Sequence, residues 1–254
     1  MNGLQIYNLI LYSFLVVAVI TFISLLFITA PYGRHAKKGW GPMVNHKLAW
    51  IIMEAPASLL LFAFFFMSEK TITATLIALL VIWQIHYFHR SFIYPFMLKM
   101  NEPMPFSIMF FGVLFNSINA YIQGMWIYAY SPETSYTNAW LTDPRFIIGV
   151  LIFAAGFAIN KHADAVLRGL YDPADPTYKI PYGGTYKLVS CPNYLGELVT
   201  WIGWAVMTWS VAGIFFVIWT AANLVPRARS NHAWYKENFP EYPEERKAII
   251  PFLF

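Results

Sequence analysis

Glu54 lies inside the apolar run LAWIIMEAPASLLLFAFFF, with no residue nearby in sequence to neutralise it. An ionisable group at membrane depth costs roughly 3 kcal/mol unless it meets a partner or a cavity, so it marks a functional position. The next apolar run is broken by His86-Tyr87-Phe88-His89-Arg90. Polar interruptions on two consecutive spans outline a reaction chamber between helices. A tyrosine hydroxyl beside a buried carboxyl group can donate to a carbonyl oxygen and stabilise the negative charge that develops there. The carboxyl group orients the phenol or relays a proton. A plainer reading makes Glu54 one half of an ion pair, with Arg90 or a histidine, that holds helices together. The six histidines, at 35, 46, 86, 89, 162 and 232, are too scattered for a catalytic metal, and none is expected.

A second constellation follows later in the chain. Asn160, Asp164 and Arg168 are spaced i, i+4, i+8 and share one helix face. A polar loop follows, with a turn at Pro181-Tyr182-Gly183-Gly184 whose glycines tolerate positive φ or let a ligand approach the backbone. Asn193, Glu197 and Trp201 repeat the i, i+4, i+8 spacing, as do Arg227, Asn231 and Tyr235. Together with Tyr32, Arg34 and Arg90, these stripes supply guanidinium groups, carboxylates, carboxamides and aromatic faces. A dinucleotide could use that set: arginines for phosphates, carboxylates for ribose or the nicotinamide amide, aromatic rings for stacking. The GxGxxG fingerprint is absent, so any nucleotide must lie among helices.

The elements that position these residues follow from composition. The chain has 254 residues, of which 58% are hydrophobic and only 12% charged, about half the charged share of a soluble domain. Apolar runs recur at roughly 6–30, 47–67, 71–98, 106–130, 145–169, 195–209 and 211–226. The expected fold is therefore all-α, a polytopic membrane protein with seven transmembrane helices. All basic residues except Lys70 and Arg145 fall on one side if the N-terminus is outside and the C-terminus cytosolic, as the positive-inside rule requires. On this topology Glu54 lies about 10 Å from the inner end of its span, and Arg90 and Tyr87 about 13 and 18 Å. Antiparallel neighbours would thus bring Glu54 and Tyr87 together in the inner half of the bilayer.

The net charge of +4 is first a topology signal, and suits anionic lipid headgroups or a phosphate-bearing ligand. Nothing points to nucleic acid. Cys191 is the only cysteine, which excludes an intramolecular disulfide. The first span lacks a basic leader and a small-residue cleavage site and is expected to be retained. No separate soluble domain is visible, so residues 1–254 are expected to form one domain, probing no partner beyond lipid and a small molecule and working as a monomer.

Several strings resemble steroid 5α-reductases: PYGRH (31–35), Met53-Glu54 before Ala55-Pro56, HYFHRSFIYPF (86–96), INKHADAVLR (159–168), YKIPYGGTYKLVSCPNYLGELVTWIGWA (178–205) and YPEERKAIIPFLF (242–254). The resemblance covers nearly the whole chain in order, is similar to the vertebrate type 2 branch, and suggests a bacterial homologue. It implies seven transmembrane helices and NADPH-dependent reduction of the Δ4 double bond of 3-oxo-Δ4-steroids. By the same resemblance, Glu54 and Tyr87 are the catalytic pair on the steroid C3 carbonyl, and Trp50 and Trp201 line the pocket. Tyr32, Arg90, Asn160, Asp164, Arg168, Tyr178, Lys179, Asn193, Glu197, Arg227, Asn231 and Tyr235 are implied on the cofactor side.

Four positions depart from the pattern. Glu102 and Tyr171 stand where arginine is usual, Lys179 replaces arginine, and Asn231 replaces histidine. The resemblance further implies a steroid entering laterally from lipid and a cofactor entering from the cytosol, in a bacterial inner membrane or, in a eukaryotic host, the endoplasmic reticulum. Rival readings are a reductase of another enone, enoyl or polyprenal substrate, a membrane methyltransferase, and a small transporter using Glu54 as a proton site.

Overall fold

The computed structural model describes residues 1–29, 35, 39–99, 103–175 and 177–254. Tyr32, Arg34 and Glu102, singled out above, lie outside the described residues. Among the described residues, eight α-helices follow in chain order: α1 (Gly3–Phe27), α2 (His46–Phe66), α3 (Ala74–Phe88), α4 (Tyr94–Met97), α5 (Phe106–Met125), α6 (Pro144–Leu170), α7 (Pro192–Thr208) and α8 (Val211–Asn238). A π-helical turn, His89–Ile93, joins α3 to α4, and another, Trp126–Tyr130, extends α5. Among the described residues, six helical segments are long and apolar enough to cross a membrane: α1, α2, α3 through α4, α5 with its π turn, α6 and α8.

Two differences from the sequence expectation concern the last helices. The 17-residue α7 falls short of that length. The span expected to stop at 226 runs on to Asn238, through Pro226. The segment RARSNHAWYKEN is too polar to register as apolar chain, yet Ala228, Trp234 and Tyr235 give it a packing face. Proline removes one helical hydrogen bond without stopping a helix that neighbours hold in place.

The chain divides into two compact units: residues 1–13 with 31–147, and residues 14–30 with 148–254. In the first, α2 and α5 run parallel in close contact. Gly112 on α5 accepts Met53, and Gly124 accepts Phe64; a Cβ at either glycine would collide with those side chains. A short antiparallel pairing of Met43–Val44 with Met104–Pro105 clips the starts of the two helices together. Asn45 and Thr73 cap α2 and α3, accepting from Leu48 N and Leu76 N, both at 3.2 Å. The loop after α2 is tied to the chain after α5: Ser68 Oγ donates to Tyr128 O (2.7 Å), and Lys70 Nζ reaches the Ser131 carbonyl and hydroxyl. Burial lowers the Lys70 pKa below the ordinary lysine value.

In the second unit, α6 and α7 meet along glycines seven residues apart. Gly149 and Gly156 of α6 face Gly203 and Gly196 of α7. A Cβ on Gly156 would collide with the Thr200 backbone nitrogen and lie 2.7 Å from Gly196 O. Backbones this close exclude any side chain, the device by which helices pack tightly in lipid. Gly156→Val should therefore destabilise the protein by about 2–3 kcal/mol through overpacking. Its higher helix propensity offsets only a few tenths of a kcal/mol. Thermal unfolding in detergent checks this; an unchanged or raised Tm contradicts it.

The C-terminal segment folds back onto the chain before α7. Ser190 N and Cys191 N donate to Lys247 O (2.8 Å) and Ala248 O (3.1 Å), and Lys247 N donates to Leu188 O (3.1 Å). Tyr242 donates its hydroxyl to Ser190 Oγ (2.6 Å), which also pairs with His232 Nδ1 (2.6 Å).

Candidate active site

The first polar cluster is built by α2, α3 and α5. Pro56 has no N–H to give Ile52 O, which loosens α2 in the turn that carries Glu54. The adjacent Met53 carbonyl accepts from Asn116 Nδ2 at 2.7 Å. Glu54 is 4% exposed. Its Oε1 accepts from Arg90 Nε at 3.0 Å, and Oε2 lies 3.4 Å from Asn116 Nδ2. Arg90 sits in the π turn that follows α3, and its guanidinium lies 5.0 Å from the Trp50 ring centre. Such turns re-aim side chains and recur at functional sites. Trp50 donates Nε1–H to His46 Nε2 at 3.1 Å and meets Tyr94 edge-on.

Tyr87 is buried beside Trp83, with ring centres 4.6 Å apart. Its hydroxyl oxygen lies 3.5 Å from Asn119 Nδ2, the long limit of such a bond. In that contact the phenol oxygen is the acceptor. Asn119 in turn accepts from Gln123 Nε2 at 3.4 Å.

The sequence reading paired Glu54 directly with Tyr87. In the structure Glu54 bonds to Arg90 and Asn116, and the Tyr87 hydroxyl lies against Asn119. The carboxylate takes the full positive charge three residues along the chain from the phenol, because a charge-assisted bond outcompetes a neutral one. Asn116, Asn119 and Gln123 were missed. Their signal was available: three carboxamides at i, i+3, i+7 inside an apolar run form a helix stripe like those read elsewhere.

The second cluster is built by α6 and α7, and their glycine contact fixes its dimensions. Asn160 Nδ2 donates to Asn193 O (3.0 Å) and Glu197 Oε2 (3.2 Å). Glu197 Oε1 accepts from Trp201 Nε1 (3.0 Å), and Asn193 Nδ2 lies 3.4 Å from Asp164 Oδ1. Asn160 and Asp164 are 5% and 7% exposed. Asn160 Oδ1 has no hydrogen-bond partner among the described residues. The amide orientation is fixed, because flipping it would set this oxygen against a carbonyl and a carboxylate.

Arg168 continues the Asn160–Asp164 stripe near the end of α6. Trp201 is buried against Phe216 (4.1 Å between ring centres) and Phe153.

The remaining expected residues form a neighbouring group. The Arg227 guanidinium lies 5.7 Å from the Tyr194 ring centre, and Asn231 Nδ2 is 3.5 Å from the Tyr194 hydroxyl. Tyr235 is packed into a core, stacked on Tyr242 with ring centres 5.1 Å apart at 9°. Tyr178 meets Trp234 edge-on. Lys179 pairs with Asp175 at 3.1 Å, and the Thr177 hydroxyl bond, followed by this exposed pair, lowers the Asp175 pKa.

Chemically, the first cluster is a buried phenol with a nearby carboxylate–guanidinium pair, suited to hold an oxygen that gains negative charge. The second is rich in acceptors (Asn160 Oδ1, Asp164, Glu197) with arginines nearby, suited to a polyhydroxylated, phosphorylated ligand.

Residues 102–254 match the family model described as 3-oxo-5-alpha-steroid 4-dehydrogenase. The chain is 44% identical over 244 residues to steroid 5-alpha-reductase DET2 of Gossypium hirsutum, covering 94% of each chain. It is 42% identical to the protein of that name from Arabidopsis thaliana, covering 92% of this chain and 91% of the relative. It is 40% identical to 3-oxo-5-alpha-steroid 4-dehydrogenase 1 of Homo sapiens, covering 88% and 86%. These relatives are plant and mammalian, so the bacterial origin expected from the sequence is not borne out. Buried polar clusters on apolar helices, a family model over more than half the chain and near full-length similarity lead to one conclusion: this chain is an oxidoreductase of the 3-oxo-5-alpha-steroid 4-dehydrogenase family.

Proposed function

We propose that this chain reduces the Δ4 double bond of 3-oxo-Δ4-steroids to the 5α product with NADPH as reductant. The supporting observation is the buried Tyr87–Asn119 contact beside the Glu54–Arg90–Asn116 group, in a chain whose relatives are named for this reaction. Tyr87 is the donor to the C3 carbonyl oxygen. As electron density moves to that oxygen, the phenol stabilises the enolate, and the apolar surroundings strengthen the interaction by excluding water. Asn119 holds the phenol oxygen in place. Glu54, fixed by Arg90 and Asn116, sets the local charge and supplies a route for the proton. Protonation at C4 completes a trans reduction.

The residues on α6 and α7 fit a reduced dinucleotide. Asn160 Oδ1, without a hydrogen-bond partner among the described residues, asks with Asp164 and Glu197 for donors, and ribose hydroxyls and a carboxamide NH2 provide them. Arg168 and Arg227 supply positive charge for phosphates, and Trp201 holds Glu197 in its orientation. Tyr178, Lys179, Asn193, Asn231 and Tyr235 complete the cofactor side as implied by the resemblance, with Tyr32. When bound, the dihydronicotinamide supplies the hydride that reaches C5.

The topology is proposed as seven spans, with α7 crossing between α6 and α8. Its 17 residues extend about 25 Å, enough for a thinned or tilted crossing. The N-terminus is outside and the C-terminus cytosolic. The chain acts as one domain and as a monomer, with the steroid entering from lipid.

Glu197→Gln removes a charge from the acceptor set while keeping its shape. It should raise the NADPH Kd about tenfold, measured by nucleotide fluorescence, because a charge-assisted bond contributes roughly 1.5 kcal/mol more than a neutral one. An unchanged Kd contradicts the cofactor assignment. The reaction itself is tested by incubating purified protein with testosterone and NADPH. A 5α-dihydro product supports the proposal; no product, or the 5β isomer, refutes it.

A further inference from the structure

Arg246 belongs to the C-terminal segment that pairs with residues 188–191, and it is 2% exposed. Its Nε and Nη1 are sealed from solvent and make no hydrogen bond with any described residue. It forms no ion pair among the described residues. The guanidinium lies 5.0 Å from the ring centre of Tyr182 and 5.2 Å from that of Tyr242. Ring faces stabilise the charge but do not accept the N–H groups that point along the guanidinium plane. A buried charged group with idle donors is costly, and folded proteins seldom keep one that has no use.

The two rings differ in freedom. Tyr242 is fixed, stacked on Tyr235 and bonded through its hydroxyl to Ser190 Oγ at 2.6 Å. Tyr182 is 58% exposed and is followed by Gly183 and Gly184, both at positive φ. One of the two rings against the guanidinium is therefore fixed, and the other can swing aside from a turn that glycine keeps adaptable, which would open a slot beside Arg246.

The planar fork of arginine matches the oxygens of a phosphate group better than those of any other common biological anion except a carboxylate. A slot opened by one side chain admits a terminal phosphomonoester. It does not admit a pyrophosphate bridge, which carries a sugar on either side.

We infer that Arg246 anchors the 2′-phosphate of the dinucleotide, with Tyr182 as its movable cover. This rests on the reductase reading above and deepens it: Arg246 is the residue that separates NADPH from NADH. The other cofactor-side residues serve parts that the two nucleotides share.

The test uses the purified full chain and measures the Kd of NADPH and of NADH by nucleotide fluorescence. Displacement of NADPH by adenosine 2′-monophosphate and by adenosine 5′-monophosphate is measured alongside. Arg246→Met should weaken NADPH tenfold or more, leave NADH within twofold, and abolish the advantage of the 2′ over the 5′ monophosphate. Arg246→Lys keeps a cation between the rings but loses the fork. It should weaken NADPH by an intermediate factor, and it decides the matter if the methionine variant fails to fold.

Equal weakening of both nucleotides in either variant would make Arg246 a packing residue and overturn the inference, as would no change in either. Displacement of NADPH by phosphatidic acid but not by adenosine 2′-monophosphate would move the site to a lipid headgroup, with the same result. A wild-type protein that binds neither nucleotide would overturn the reductase reading, and the inference with it.

Discussion

Tyr87→Phe is expected to lower kcat about 100- to 1,000-fold while leaving the NADPH Kd within twofold. The substitution removes one hydroxyl and keeps the ring, so the packing against Trp83 survives. What is lost is the donor on the oxygen that gains charge, and removing one such preorganised donor costs two to three orders of magnitude in rate. Because the bond strengthens as charge develops, the loss falls on kcat more than on KM. Asn119 would keep its bond to Gln123, so the helix contact around it has no reason to collapse. Single-turnover assays with purified protein check this. Turnover equal to wild type would remove Tyr87 from the chemistry.

Glu54→Gln is expected to lower kcat/KM about 100-fold with a modest change in Tm. The amide keeps an oxygen that can accept from Arg90 and removes the negative charge that pairs with it. Breaking a fully buried ion pair costs about 3–5 kcal/mol. The Arg90 side chain is 26% exposed, however, so solvent and the Trp50 ring take up part of its charge. The cost to folding should accordingly be well below that figure. The cost to activity is separate: an unbalanced guanidinium changes the field around the phenol and removes a proton route. Activity equal to wild type in purified Glu54→Gln would assign the carboxylate to holding α2 against the π turn, the plainer reading raised by the sequence.

The two readings of Glu54 were legible in the sequence because a lone carboxylate in an apolar run is conspicuous. Which partner it takes was not. The helix-face rule places Tyr87 and Arg90 together, but the π turn at His89–Ile93 changes the local pitch, and no composition signal announces such a turn. Asn116, Asn119 and Gln123 were legible in principle and passed over, because carboxamides lower the hydropathy of a span far less visibly than charges do.

The i, i+4 spacing put the residues of the second cluster on two shared helix faces. Asn160, Asp164, Asn193, Glu197 and Trp201 all meet in the structure. Spacing could not show that Tyr235 turns into a core with Tyr242, since an aromatic residue on a polar stripe fits either role. Nor could it show α8 continuing to Asn238, because hydropathy marks where lipid ends and not where a helix does. Tertiary contact also revealed the glycines of α6 and α7 as the spacing device for the site; in sequence they are only scattered small residues.

Under the proposed mechanism this chain delivers a hydride to C5 of a 3-oxo-Δ4-steroid whose C3 oxygen is held by Tyr87. The most direct test is a single turnover of wild-type protein with testosterone and NADPH deuterated at the transferable position of nicotinamide C4, in ordinary water. One deuterium is expected, located by NMR at C5 on the α face, with the C4 hydrogen drawn from solvent. Deuterium at C4, a 5β product, or a reduced steroid without label would contradict it.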